Sequence, residues 1–328
     1  MPDHGRGLPC GNMVEFMHRN RNRGARLHQA ANGRRVTPTI KRRNFETWRI
    51  MTRSNYFFAV GAILLWASLA TLSVSLAHVP PFLLTGLALC AGSLIALPLS
   101  RFDLRRWRVP LPTLVLGVYG LFGYHLLFFI ALRFAPAVQA NLVNYLWPLL
   151  MVVLAPVLLP GVHFHGQQML AAGLGFAGAA IAIAGGKNVD GGLAWGYLPA
   201  AGSAFIWASY SLLTQRVPRF PTAAIGGFAL VSGLLALMCH VLLEPAVRLT
   251  WNDVGLIAVL GLGPLGAAFF LWDAALKRVD ARHVGLLSFF TPLLSTLLLL
   301  LVRQQPPHWT VGLAAVLITG AAFLGTRK

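Results

Sequence analysis

Acidic side chains are the scarcest feature of this sequence: nine Asp and Glu in 328 residues, against 27 Lys and Arg. Charged residues of both signs make up only 11% of the chain. A soluble globular protein carries about a quarter, so a water-soluble domain is excluded. Cysteine is equally sparse, with Cys10, Cys90 and Cys239 far apart and no CxxC pair. That spacing excludes a disulfide framework and a zinc site. His163 and His165 have no third ligand in sight, so no metal site is read there. The phosphate-cradling GxxxxGK[ST] is missing, and with it ATP-driven work within this chain. No cofactor motif replaces it. Finally, no unpaired Asp or Glu lies deep in an apolar run, unlike most ion-coupled membrane pathways.

What is abundant is hydrocarbon. From Tyr56 onward, apolar runs of about 16 to 23 residues recur between short Pro, Gly or Arg segments. About 20 apolar residues cross a bilayer as a helix. Ten spans are read: Tyr56–Ala77, Phe82–Leu99, Leu111–Leu132, Ala137–Leu159 and Gln168–Ala184, then Leu193–Leu213, Ala223–Leu243, Val254–Leu276, Val284–Val302 and Trp309–Leu324. The fold class is therefore an all-α integral membrane protein. The last span is short, and is read as tilted or near one surface.

The net charge of +18 suggests nucleic acid until its distribution is considered. Residues 1–53 hold 12 of the Lys and Arg with three acids, and the other 15 cluster at the gaps between runs. That is a pattern of orientation signals and headgroup contacts, so no nucleic-acid partner is expected. The 1–53 segment reads as a basic, disordered tail without a secretory core, or else Met51 is the true start. Loops sharing a side with the N-terminus carry eleven Lys and Arg, and the opposite loops only four. By the positive-inside rule both termini are cytoplasmic.

The sequence also repeats. Gly61–Ser68 reads GAILLWAS and Gly202–Ser209 reads GSAFIWAS, with Trp66 on Trp207, a shift of 141. Pro148-Leu149-Leu150 recurs at Pro292-Leu293-Leu294, and Ala131-Leu132-Arg133 at Ala275-Leu276-Lys277, both shifted by 144. Gly178-Ala179-Ala180 recurs at Gly320-Ala321-Ala322. Two repeats, 54–186 and 187–328, follow. With five spans each they must enter the membrane from opposite faces, the inverted plan of secondary transporters. A membrane enzyme has no need of it, so transport is the reading and catalysis the weaker alternative.

The WAS of each opening span and the small-residue closing spans resemble the EamA-type drug/metabolite transporter superfamily, over about residues 56 to 325. Within it, Asn144-Tyr145-Leu146-Trp147-Pro148 resembles the bacterial exporters of aromatic amino acids. The resemblance implies a ten-helix basket in the cell inner membrane, moving neutral amino acids outward. A carrier of another small metabolite or drug is the alternative, but a phosphorylated solute calls for an embedded Lys or Arg and a quaternary amine for a carboxylate.

Candidate solute contacts follow from helical faces. At 100° per residue, Asn141, Asn144, Tyr145 and Pro148 share one face, either lining a cavity or bonding helix to helix. Trp147 falls about 110° off it, so its role comes from the resemblance. Tyr124 joins Gly117, Gly120 and Phe128 on one stripe with His125 beside it; His125 is read as either a proton carrier or a satisfied core histidine. Ser203, Trp207 and Tyr210 share a face in the sixth span, as do Ser288, Thr291 and Pro292 in the ninth, with Phe289 at the position of Tyr145. Pro148, Pro292 and Trp66 are the expected gates. Asp273 precedes Lys277 by one turn, the spacing of an ordinary ion pair. The expected partners are an amino acid and the lipid bilayer, with a monomer sufficing.

Overall fold

The computed structural model describes residues 38–184, 194–304 and 306–326, with side chains from Asn55. The chain divides into two units, Met1–Arg53 and Ser54–Lys328, and the second holds the apolar spans. Residues 1–37 of the expected tail lie outside the described residues, and from Pro38 the chain is helical. The expected repeat boundary at 186/187 lies outside them too, as do Lys187, Arg327 and Lys328 of the loop count.

Among the described residues the unit is all helix. Eight helices are long and apolar enough to cross a membrane: spans 1 to 5 at Asn55–Val74, Pro81–Leu99, Leu111–Phe134, Ala137–Leu158 and Gly166–Ala184, and spans 7 to 9 at Thr222–Leu243, Trp251–Leu276 and Ala281–Val302. Span 6, Tyr197–Leu213, has 17 residues, and span 10 is the shorter apolar helix Trp309–Gly325. The order and bounds follow the apolar runs closely. Prolines open several spans (Pro81, Pro112), where a missing N–H leaves no bond unmade. Span 8 starts on a capping box between Thr250 and Asp253.

Side-chain placement is inverted relative to a soluble protein. Large apolar groups such as Phe57, Val241 and Val316 face outward, while alanines such as Ala62, Ala88, Ala131 and Ala204 are fully buried. Lipid tails compete equally for apolar side chains, so helices associate through close packing of small residues. Spans 2 and 7 meet at Gly86 and Gly233, where an added Cβ on either would lie about 3 Å from the other's carbonyl oxygen (3.0 and 2.9 Å).

The repeat is visible in the irregularities of the helices. Span 3 carries a π-bulge at Tyr119–Gly123, and span 8 carries one at Gly263–Ala267, 144 positions on. Span 4 breaks after Ala137–Asn144 and span 9 after Ala281–Ser288, again 144 apart. The cause is the same in both. Pro148 and Pro292 have no N–H to give the carbonyl four residues earlier, and those carbonyls belong to Asn144 and Ser288, the last residues of the first segments.

Gly92 tests this packing most sharply. A Cβ there would meet the Gly261 carbonyl oxygen at 2.7 Å and the Gly266 Cα at 2.8 Å, both backbone. Gly92→Ala should destabilise the protein by about 1–3 kcal/mol, the range for overpacking. Gly312→Ala, with nothing within 4 Å, should leave thermal unfolding in detergent unchanged.

Candidate functional site

Four indoles meet at the centre of the unit, one each from spans 1, 4, 6 and 8. Every pairing of Trp66, Trp147, Trp207 and Trp272 is a ring contact, with centroids from 5.1 to 6.5 Å apart. Phe269 extends the group to Trp66 at 6.1 Å and Trp207 at 5.6 Å. Tyr124 joins through Trp207 at 5.5 Å, and Tyr210 does so at 5.4 Å. His125 closes the set against Phe269 at 6.3 Å and Tyr124 at 5.1 Å.

Two of these contacts locate the cluster. Trp66 and Trp207 are repeat counterparts in contact at 5.7 Å. His125 and Phe269, 144 positions apart, are counterparts as well. A residue can touch its own symmetry mate only beside the symmetry axis. In an inverted repeat that axis lies in the membrane plane, so the cluster sits near mid-bilayer.

The helix irregularities aim these side chains. The π-bulge of span 3 precedes Tyr124 and His125, and His125 Nδ1–H donates to the Leu121 carbonyl oxygen at 2.6 Å within it. Trp66 Nε1–H donates at 3.1 Å to the Pro264 carbonyl oxygen of the other bulge. Gly120 lets the Tyr210 ring lie on the bulge, since an added Cβ would lie only 2.3 Å from the Tyr210 Cγ.

Around the rings, polar groups gather at one corner. Asn144, 2% exposed, donates through Nδ2 to Tyr124 Oη at 3.1 Å and accepts from Ser203 Oγ at 2.9 Å. Spans 3, 4 and 6 are thereby tied together, the helix-bonding role for this residue. Trp272 Nε1–H is held by Ser211 Oγ at 3.1 Å. The indole N–H groups of Trp147 and Trp207 have no hydrogen-bond partner among the described residues, although both residues are at most 5% exposed. Thr291 Oγ1, at the repeat position of Trp147, is buried without a partner among them.

The structure thus gathers Trp66, Tyr124, His125, Asn144, Trp147, Trp207 and Tyr210 of the expected residues. Trp147 is inside the cluster rather than off the face. The Leu146 N–H bonds to the Val143 carbonyl, three residues back, and this tighter turn rotates Trp147 inward. Asn141 and Tyr145 are half-buried, with no ring contact or side-chain hydrogen bond among the described residues. Ser288 Oγ donates to its own helix at Val284. Phe289 is placed elsewhere, fully buried in a second core with Val152, Ala171 and Leu293 and packed on Gly175 of span 5. Sequence reasoning missed Trp272 and Phe269. Carrying the 144 shift from Phe128 and His125 leads to both.

Comparison with known proteins agrees with this architecture. The model of the EamA-like transporter family matches twice, over residues 53–184 and 194–327. The aromatic amino acid exporter YddG of Ancylobacter novellus is 42% identical over 271 residues, covering 81% of this chain and 94% of that protein. A probable amino-acid metabolite efflux pump of Salmonella typhimurium is 28% identical, covering 74% and 84%. A crystal structure superposes with a TM-score of 0.77 at 39% identity, covering 83% of this chain and 97% of the other.

The Asn144 bridge makes its own prediction. Interhelical polar bonds in bilayers contribute about 0.6 kcal/mol on average and up to about 1.7. Asn144→Ala should lower stability by about that upper value, because it removes both bonds at once, stranding Tyr124 Oη and leaving Ser203 Oγ only the Ala200 carbonyl of its own helix. Combined with Tyr124→Phe it should destabilise by less than the two single changes added. Strict additivity in detergent melts would show that the bridge carries no energy.

Proposed function

The chain belongs to the EamA-like transporter family, and from that premise we propose that it exports neutral, chiefly aromatic, amino acids across the inner membrane by alternating access, without catalysis. One observation carries this reading: four indoles converge beside the repeat axis, and two of them keep N–H donors without a hydrogen-bond partner among the described residues. Aromatic faces suit an apolar or aromatic side chain through burial and edge-to-face contact. The free indole N–H groups of Trp147 and Trp207 are donors for its carboxylate. Both termini lie in the cytoplasm in this reading, as the loop charges indicate.

Alternating access needs contacts between the repeats that can open at either end. At the end carrying the basic loops, Tyr56 Oη bonds His283 Nδ1 at 3.2 Å and the Arg278 guanidinium lies 4.5 Å over Phe58. At the opposite end, Glu244 accepts from the Phe82 and Leu83 amides at 2.9 and 3.1 Å, and His78 pairs with Asp253 at 3.2 Å. Both ends are bridged, and the indoles close the middle. The proline breaks of spans 4 and 9 supply the places where helices bend.

The transport is uncoupled in this reading. Each of the five described carboxylates has a basic partner: Asp103, Glu244, Asp253, Asp273 and Asp280 pair with Arg106, His240, His78, Lys277 and Arg282. His125 holds its Nδ1 proton against a carbonyl. Flux at a fixed phenylalanine gradient should therefore be unchanged by an imposed pH gradient, and His125→Phe, which copies its counterpart Phe269, should still transport. A steep response to the pH gradient would instead demand a coupled proton.

Counterflow in proteoliposomes tests the substrate. Vesicles preloaded with unlabelled phenylalanine or tryptophan should accumulate the labelled solute, and vesicles preloaded with glutamate should not. Trp207→Ala should lower kcat/KM for phenylalanine at least about tenfold, since a ring pair and its buried area go together. Trp251→Ala, 91% exposed, should have no effect. Failure of every amino acid in folded protein would remove the amino-acid reading and leave the family.

A further inference from the structure

A second pocket lies at the mouth that carries the basic loops, outside the indole cluster. It has a volume of about 570 Å³ and is formed where spans 6 and 8 end and span 7 begins. Arg219, Lys277 and Arg278 line it with a single carboxylate, Asp273. Lys277 is fully engaged, at 2.6 Å from Asp273 Oδ2 and 2.9 Å from the Phe220 carbonyl oxygen, with Nζ 4.1 Å over the Phe220 ring. Thr222 Oγ1–H takes the same carboxylate oxygen at 2.7 Å. This knot cancels one positive charge and fixes the wall. Two guanidiniums remain uncancelled. Arg278 is oriented by Phe58 and by the Ala274 carbonyl at 2.7 Å. Arg219 is exposed and has no partner among the described residues.

Fold symmetry does not require these charges. At the opposite mouth, the counterparts of Arg219, Phe220 and Thr222 are His78, Val79 and Pro81, and those of Asp273 and Arg278 are Phe129 and Phe134. Lys277 alone keeps its charge, as Arg133. Loop-charge bias accounts for exposed arginines such as Arg216, but not for a buried carboxylate knot holding a pocket open between them. Asp273 on the pocket wall is also the next residue after Trp272, the most buried of the four indoles.

We propose that this pocket is a capture site for the carboxylate of the exported solute, with Arg219 as its free ligand and Arg278 as its oriented partner. It rests on the export reading and gives the path an asymmetry that the repeats alone do not supply. A guanidinium keeps its positive charge at any working pH, and a positive vestibule raises the local concentration of a carboxylate.

Equilibrium exchange of labelled phenylalanine, in vesicles containing the full chain, tests the site. Arg219→Gln should raise the exchange KM about fivefold, as expected for a solvent-accessible ion pair, with the maximal rate unchanged. Arg219→Lys should keep the parental KM within about twofold, since charge drives this exposed contact. The shift should be equal in phosphatidylcholine vesicles with and without phosphatidylglycerol. An unchanged KM in Arg219→Gln, or a fall in maximal rate alone, overturns the capture site while leaving export standing. A KM shift confined to phosphatidylglycerol vesicles overturns it in favour of a lipid headgroup. No exchange by the parent protein removes the export reading and the capture site together.

Discussion

Hydrocarbon offers no hydrogen-bond partner to a bare carbonyl, so every interruption of a membrane helix must be answered by another part of the protein. In this chain the interruptions are the organising features. Two π-bulges and two proline breaks fall at matching positions of the two repeats. The answers to the bulges come from side chains of the central cluster itself, His125 to Leu121 and Trp66 to Pro264. Satisfying the backbone and positioning the aromatic rings are therefore one requirement. The second bulge is closed by a residue of the first repeat, which couples the shape of one half to the position of the other.

Symmetry in the backbone is set against asymmetry in the side chains. The polar corner made by Tyr124, His125, Asn144 and Ser203 has Ala268, Phe269, Ser288 and Ala62 as its counterparts. Three of those four have no polar side chain, and the fourth turns its hydroxyl to its own helix. A solute on the axis would find hydrogen-bonding groups on one side and rings on the other. That arrangement suits a molecule with a polar head and an apolar body, and it orients the molecule during passage. Equal halves give two interchangeable states. Unequal linings decide what binds in them.

The sequence reveals the architecture more fully than the site, and the reasons are physical. Spans are legible because hydrocarbon thickness enforces a length, and the repeat because both copies keep the same Trp, Pro and Gly landmarks. Trp147 was misjudged by angle because a straight helix was assumed across a proline break, where one three-residue turn changes the phase of everything beyond it. Phe289 looked like a lining residue by its match to Tyr145, yet the two counterparts have diverged, and Gly175 offers the ring a seat in a separate core. Trp272 carries no such landmark, because its repeat counterpart is Phe128 rather than another Trp. Asp273 and Lys277 do form the pair their spacing indicates.

The closed state of the indoles bears on how such a protein moves. Trp66 and Trp147 belong to the first repeat and Trp207 and Trp272 to the second, so four of the six ring contacts cross between the halves. Each ring pair contributes on the order of 0.5–1.5 kcal/mol beyond area burial. Those four contacts are a few kcal/mol together, enough to hold the centre shut and small enough for one inserted aromatic ring to replace. A solute that offers such a ring restores what separation of the halves gives up. A solute without one leaves the indoles with fewer partners than they had when closed. Under the proposed export of aromatic amino acids, selectivity then arises from the energy of opening itself, without a dedicated pocket for each side chain.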